Sequence, residues 1–369
     1  MRSEHGYGAS KMKKLLYLAI VTGLILWAFQ PVVAQDILKG KKLIEWGWDE
    51  PDTQFIRQNI EKMEQMPFDG LVFHVTSSKD GSFVWEMWGN RRFELAEFQR
   101  AIDDLKATPF KRLTDLFLRV NVTPGKVDWF DDQAWSVVLN NFAVAAQVAK
   151  QGGCKGFMFD VEQYNDQLFE YGKQKHRAAK SFAEYRAKVR QRGQEWMKAV
   201  SGPYPDLTIL LTFGYSITGG EPKNRAGSSY GLLADFLDGM LDASPPQTKI
   251  VDAWEGAYTY KQKGQFQKAY DTIKVKSANW SAVPEKYRHQ VQAGFGIWMD
   301  CNSHRLGWHT DDLTKNHFTP AEFQKSVRLA LEASDEYVWI YTERLRWWTN
   351  EKLPKEYVEA LRKAALSEK

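Results

Sequence analysis

Short apolar runs alternate with longer amphipathic segments along almost the whole chain, and this alternation limits the available folds more than any other feature. Eight runs read as strands: residues 43–48, 71–75, 116–121, 156–160, 208–213, 250–254, 293–299 and 337–342. Between them lie helical patterns. Ile56, Ile60 and Met63 are spaced as one face of a helix over 53–66, and further helices are read over 135–150 and 181–200. Thr319, Pro320 and Glu322 fit the N-cap, N1 and N3 positions of a helix running to Ala333. A strand–helix unit repeated about eight times predicts an α/β fold, a single (β/α)8 TIM barrel with extended βα loops. Linkers, low-complexity tracts and a second domain are not visible, so residues 35–369 are expected to form one catalytic domain.

Residues 1–34 read as a signal peptide. Lys11, Lys13 and Lys14 precede an apolar run over 15–29, and Val32-Val33-Ala34 suits a signal peptidase. The run is short for a membrane span, which needs about 20 residues. The expected location is secreted or periplasmic, with no membrane partner after cleavage. Removing this segment removes Arg2, Lys11, Lys13, Lys14 and Glu4, leaving 46 basic against 45 acidic residues. A chain so nearly neutral gives no footing for nucleic acid. In an exported protein Cys154 and Cys301 could pair. They lie just before one strand and just after another, at opposite ends of a parallel barrel, which argues against a bridge.

Alternation within each strand sorts the two faces of the barrel. Leu71, Phe73 and Val75 face the helices, leaving Val72 and His74 inside. Phe117, Arg119 and Asn121 are inside, as are Trp298 and Asp300, and Trp339, Tyr341 and Glu343. On the sixth strand Val251 and Ala253 are read as outward, so Asp252 and Trp254 point in. Glu255 then points out unless the strand ends at Trp254. Met158, Asp160 and Glu162 share one face of the fourth strand, so two carboxylates close a buried strand on its inner side. Polar inward residues gathered at the C-terminal ends of strands are what an active site looks like in this fold.

Carboxylates with few histidines and 15 tryptophans point to glycosidic bond cleavage. That reaction needs a proton donor for the leaving oxygen and a second carboxylate at the anomeric carbon, and aromatic rings suit sugar faces. The run from Gly152 to Phe159-Asp160-Val161-Glu162 resembles the fourth-strand motif of (β/α)8 glycoside hydrolases, with the Asp-x-Glu ending of the chitinase-like group. That resemblance implies Glu162 as the general acid and Asp160 as its orienting group. Lys155 and Met158 stand where the chitinase-like motif has further aspartates. The segments from Glu45 to Pro51 and from Tyr341 to Trp348 resemble uncharacterised secreted bacterial barrel proteins.

The expected activity is therefore a secreted glycoside hydrolase acting on a polysaccharide or oligosaccharide. Glu162 and Asp160 carry it, with Asp300 or Glu343 as the second carboxylate. Trp46, Trp48, His74, Arg119, Asn121, Asp252, Trp254, Glu255, Trp298, Tyr341 and Trp347 are the candidate substrate-binding residues. Each has a structural alternative: Asp160 as a partner of Arg119, Asp300 as a turn residue, Asp252 as part of a buried network, Glu343 as a partner of Arg344 or Arg346. A non-catalytic carbohydrate-binding barrel and a metal-dependent barrel hydrolase are the competing readings. No metal or cofactor is expected: His304, His309, Asp311, Asp312 and His317 have irregular spacings that match no helical ligand pattern. The oligomeric state is left open by the sequence.

Overall fold

The protein is described here by a computed structural model covering residues 38–301 and 307–366. The signal segment 1–34 and His304 lie outside the described residues. From Gly40 onward the chain forms one compact unit. Its strands are β1 Lys42–Gly47, β2 Gly70–Phe73, β3 Asp115–Asn121, β4 Gly156–Asp160, β5 Thr208–Leu211, β6 Lys249–Asp252, β7 Val291–Ala293, β8 Phe295–Trp298 and β9 Tyr337–Thr342. All pair in parallel, in the order β7-β6-β5-β4-β3-β2-β1-β9-β8. The two ends of that order are consecutive in the chain and separated only by Gly294. The seventh strand of the barrel thus pairs first with β6 and then with β9, which closes a (β/α)8 barrel. A side chain at 294 would meet the Tyr337 carbonyl and the Val251 methyl, both at 2.9 Å, so the handover needs glycine.

Helices α1 Thr53–Met63, α2 Gln99–Ala107, α3 Asp132–Gln151, α4 Phe182–Ser201, α5 Leu233–Ala243, α6 Lys263–Asp271, α7 Pro320–Ala333 and α8 Lys355–Ala365 flank the sheet. Their starts follow local chemistry. Asp52 and Asp131 accept N-cap bonds, and Ser181 with Glu184 and Thr319 with Glu322 form reciprocal capping boxes. Among the described residues no helix is long and apolar enough to cross a membrane.

Inside the barrel, Ile44, Trp46, Val72, Phe117, Met158, Leu210, Val251, Ala253, Tyr337 and Trp339 form one apolar cluster. Trp339 is its largest piece. It is accommodated because Gly296 has no Cβ, which would lie 2.5 Å from the indole, and its Nε1 donates to the Ala253 carbonyl at 2.7 Å. At the lower end Tyr337 donates to Asp115 at 3.0 Å, and Lys42 pairs with the same carboxylate at 3.4 Å.

This cluster corrects the sixth strand. Val251 and Ala253 point inward, so Asp252 faces the helices, beside Tyr287 and Leu241. Because side chains alternate with period two, a one-residue error in face moves every residue of the strand. The small Ala253 is inside because Trp339 leaves no room for more. The same shift sends Glu255 to the inner side.

Much of the aromatic content is core. Trp88, Trp129, Trp135 and Trp196 pack with Phe142, Phe159 and Phe236 between the sheet and α3, α4 and α5. Cys154 and Cys301 are both buried and unbridged.

Candidate active site

The C-terminal ends of the strands surround a cleft of about 710 Å³. Its floor is aromatic and continuous with the barrel core. Tyr258 stacks on Tyr341 with centroids 5.3 Å apart and planes 12° apart, while Trp298 and Trp46 meet Tyr341 edge-on. Two walls carry exposed rings. Trp48 is 66% exposed and donates from Nε1 to the Tyr341 hydroxyl at 3.0 Å; Trp85 and Tyr164 stand together, 5.7 Å between centroids. Exposed rings lining a cleft above an aromatic floor offer flat apolar faces with polar edges, the surface a sugar ring fits.

Four carboxylic acids line the same cleft: Glu50, Glu162, Glu255 and Glu343. The cation among them is Arg119 on β3. Its guanidinium lies 3.4 Å from Glu50 and 3.6 Å from Asp160, and over the rings of Trp85 and Trp46 at 5.0 and 5.7 Å. Burial works against its charge, but Glu50 and Asp160 outweigh it and raise its pKa. Glu50 also accepts from Trp46 Nε1 at 2.9 Å and pairs with His74 Nδ1 at 3.3 Å. Burial opposes the imidazolium of His74, and the bond and charge of Glu50 overcome it and raise that pKa.

At the end of β4, Asp160 is fully buried. One of its oxygens accepts from the Glu162 amide at 3.0 Å, and the other faces Tyr164 at 3.1 Å. Burial pushes its pKa up to about 6, with Arg119 pulling it back and Glu162 adding to the rise. The Tyr164 hydroxyl also hydrogen-bonds Glu162. One hydroxyl has one proton to give, so it donates to one of the two carboxyls at a time.

Glu255 follows β6 after a sharp bend. Trp254 adopts φ +28°, a left-handed conformation that side chains rarely take. The bend is pinned by Thr212 at the end of β5. Its amide donates to Phe159 at 3.3 Å, its hydroxyl accepts from the Val161 amide at 3.3 Å, and its carbonyl accepts from the Glu255 amide at 2.9 Å. One residue thereby fixes the backbone on both sides of the Glu162–Glu255 pair. Burial, reinforced by the charges of Glu162 and Asp160, pushes the Glu255 pKa up to about 8. Glu343 is also raised, by burial and then by the charge of Asp300.

Of the residues expected from the sequence, Trp46, Trp48, His74, Arg119, Glu162, Glu255, Trp298, Tyr341 and Glu343 meet in this cleft, with Asp160 directly beneath it. Five do not. Asp300 is buried and accepts from Trp298 Nε1 at 2.8 Å and from the amides of Glu343, Arg344 and Leu345, so its lone pairs are committed to shaping the turn after β9. It holds the Glu343 amide and does not line the cleft. Asp252 lies outside the barrel; burial lifts it to about 7, and its neighbours are the Trp254 and Gly214 amides. Trp254 itself donates to Tyr260 at 3.3 Å, away from the cleft. Asn121 is fully buried and accepts from the Thr123 amide. Trp347 is fully buried against Phe68, with centroids 4.8 Å apart.

Glu50, Trp85, Tyr164, Thr212 and Tyr258 belong to the site and were absent from the sequence candidates. Tyr164 continues the same alternation that singled out Asp160 and Glu162. Glu50 sits within the Glu45–Pro51 segment that drew notice as a whole. Trp85 lies in a one-turn helix, Phe83–Glu86, too short for periodicity to mark it. Among the described residues no group of three or more His, Cys, Asp or Glu is arranged to hold a metal ion.

No protein-family model and no curated protein matches the chain. Solved structures do. A broad-specificity endoglucanase of glycoside hydrolase family 5 from an uncultured bacterium is 13% identical over 89% of this chain and 95% of its own, with a TM-score of 0.46. A family 5 enzyme from Prevotella bryantii, in complex with a xyloglucan tetradecasaccharide, is 12% identical over 90% and 98%, with a TM-score of 0.48. A sugar phosphate isomerase/epimerase from Parabacteroides distasonis is 11% identical over 86% and 96%, with a TM-score of 0.43. The chain resembles (β/α)8 glycoside hydrolases without assignment to a family. Glycosidases and an isomerase both occur among these structures, so the likeness is one of fold, and residue roles rest on the cleft itself.

Two outcomes are expected. Because folding raises the Glu255 pKa to about 8, its ionisation opposes the folded state, and stability falls as pH rises from the ordinary carboxylate range through about 8. Glu255→Gln removes that loss, so its melting temperature should match wild type near pH 4 and exceed it increasingly toward pH 9 in a calorimetric series. Thr212→Val leaves the buried Val161 amide without its acceptor, at about 1–3 kcal/mol. Thr212→Ser should recover most of that loss in denaturant titrations.

Proposed function

We propose that this chain is an exported glycoside hydrolase that cleaves neutral polysaccharides or oligosaccharides, with Glu255 as proton donor and Glu162 as the second carboxylate. One observation carries the reading: two carboxylic acids just past the ends of β4 and β6, the strands on either side of β5, face an aromatic-floored cleft, and one of them keeps its proton up to a pH of about 8. Glycosidic cleavage requires this division, an acid that protonates the leaving oxygen and a carboxylate that attacks the anomeric carbon or activates a water. Burial, reinforced by the charges of Glu162 and Asp160, keeps Glu255 protonated. Asp160 holds the Glu162 backbone through its amide and acts as a positioning residue. Arg119 balances Glu50 and Asp160, so that the acids of the cleft are not all forced to protonate.

The lining supports a neutral substrate. Glu50, Glu162, Glu255 and Glu343 face Arg119 and His74, and a uronate or sulfated chain would meet excess negative charge. Trp48, Trp85 and Tyr164, exposed at the mouth, offer stacking faces above the Trp298, Tyr258 and Tyr341 floor. Export rests on the Lys-rich start and apolar run ahead of Val32-Val33-Ala34.

On a panel of neutral glycans, Glu162→Gln and Glu255→Gln should each lower kcat by about 100- to 10,000-fold. With an aryl glycoside whose leaving group needs no proton, Glu255→Gln should recover most of its rate and Glu162→Gln should not. Wild-type kcat/KM should fall as pH rises through about 8. Full activity in both folded variants refutes the assignment; wild-type binding without turnover on the whole panel identifies a carbohydrate-binding barrel instead. Mass spectrometry of protein from producing cells should find Gln35 as the first residue, and a retained residue 1–34 segment contradicts export by signal cleavage.

A further inference from the structure

A second cavity of about 410 Å³ adjoins the cleft. The two share Glu50 and His74, which form the partition between them. The partition is built, not incidental. His74 Nδ1 pairs with Glu50 at 3.3 Å, its amide donates to Pro51 at 3.1 Å, and His74 bridges to Asp52 in parallel register. Beyond it the second cavity has the same mixed chemistry as the first. Phe55 and Trp348 supply apolar faces, and Asp52, Arg346 and Glu351 supply hydrogen-bonding groups. Its volume falls within the range of about 300–1,000 Å³ typical of small-molecule sites.

We propose that this second cavity is a subsite for the same glycan, taking a glycosyl unit that lies beyond the His74–Glu50 partition from the bond to be cleaved. The inference rests on the glycosidase reading of the main cleft. Its chemistry follows from the partition. His74, held by Glu50 through Nδ1, presents its other ring nitrogen to hydroxyls of a chain crossing between the cavities. Phe55 and Trp348 pack against the ring that arrives, and Asp52 and Glu351 accept from its hydroxyls. A ligand confined to the main cleft uses none of these groups. The protein therefore selects substrates with a glycosyl unit at that distance, as a continuing main chain or as a branch.

The test uses the full mature protein, linear oligosaccharides of increasing length and singly branched analogues of the same backbone. Thr349→Trp fills the second cavity from its exposed rim, and Phe55→Ala removes an apolar face; neither residue lines the catalytic cleft. For wild type, kcat/KM should rise about tenfold at the length, or with the branch, that first reaches beyond the partition. Both variants should abolish that rise while keeping wild-type rates on the shortest substrate. A rise with length points to the main chain as occupant, and a rise confined to branched analogues points to a side chain. Variants that turn over every substrate with wild-type length and branch dependence overturn the subsite. If no glycan is turned over, the glycosidase reading fails on its own. Calorimetric titration of the same oligosaccharides then decides the subsite separately: weaker binding of long or branched ligands by Thr349→Trp supports it, and equal affinity or absent binding overturns it.

Discussion

Everything at the mouth of this barrel depends on the charge of Arg119. Glu50, Asp160, Glu162, Glu255 and Glu343 crowd a space largely withdrawn from water, and buried carboxylates without a counter-ion protonate. A guanidinium does not lose its proton under such conditions, so one on β3, between Glu50 from the β1 loop and Asp160 on β4, gives both carboxylates a counter-ion. Burial and the nearest charges then sort the rest. Burial lifts Asp160 to about 6 with Arg119 pulling it back, whereas at Glu255 burial is reinforced by the charges of Glu162 and Asp160 and lifts it to about 8. The asymmetry of the cleft therefore follows from which acid has the cation beside it and which has other acids.

Much of the architecture was legible in the chain because a parallel barrel writes itself in short apolar runs. The fourth and last strands were read with the bounds they have, Gly156–Asp160 and Tyr337–Thr342. Faces were legible wherever an inward polar residue followed an inward apolar one, as on β3 with Phe117 and Arg119. The sixth strand was not. Its run of Ile250, Val251, Asp252 and Ala253 carries apolar residues on both faces, and the deciding fact is the bulk of Trp339 arriving from a strand more than 80 residues away. That same distant contact turned Glu255 from an outward residue into one that lines the cleft. Asp300 misled for a related reason. Its inward direction was right, but the three amides that occupy it belong to a turn after β9, and no local pattern announces them.

Aromatic abundance shows a similar split. A tryptophan count says nothing of which rings reach solvent, and among the described residues eight are buried. Trp48 lies in a turn and Trp85 in the short Phe83–Glu86 helix, both lining the cleft, whereas Trp135 and Trp196 lie on long helices that pack against the sheet. The rings of the cleft and those of the core are one continuous stack, Trp339 to Trp46 and Tyr258 to Tyr341, so the floor under a bound sugar is as rigid as the barrel interior beneath it.

Gly294 gives the barrel a seam. Seven of its strands each run alongside both neighbours, while the remaining one is handed from β6 to β9 across a single residue without a side chain. Mechanically the barrel is a strip of sheet fastened at one joint. Glu162 and Glu255 lie on the stretch of strip approaching the joint, and Trp298, Tyr341 and Glu343 lie past it. A ligand that touches both groups therefore acts as a second clasp across the fastening.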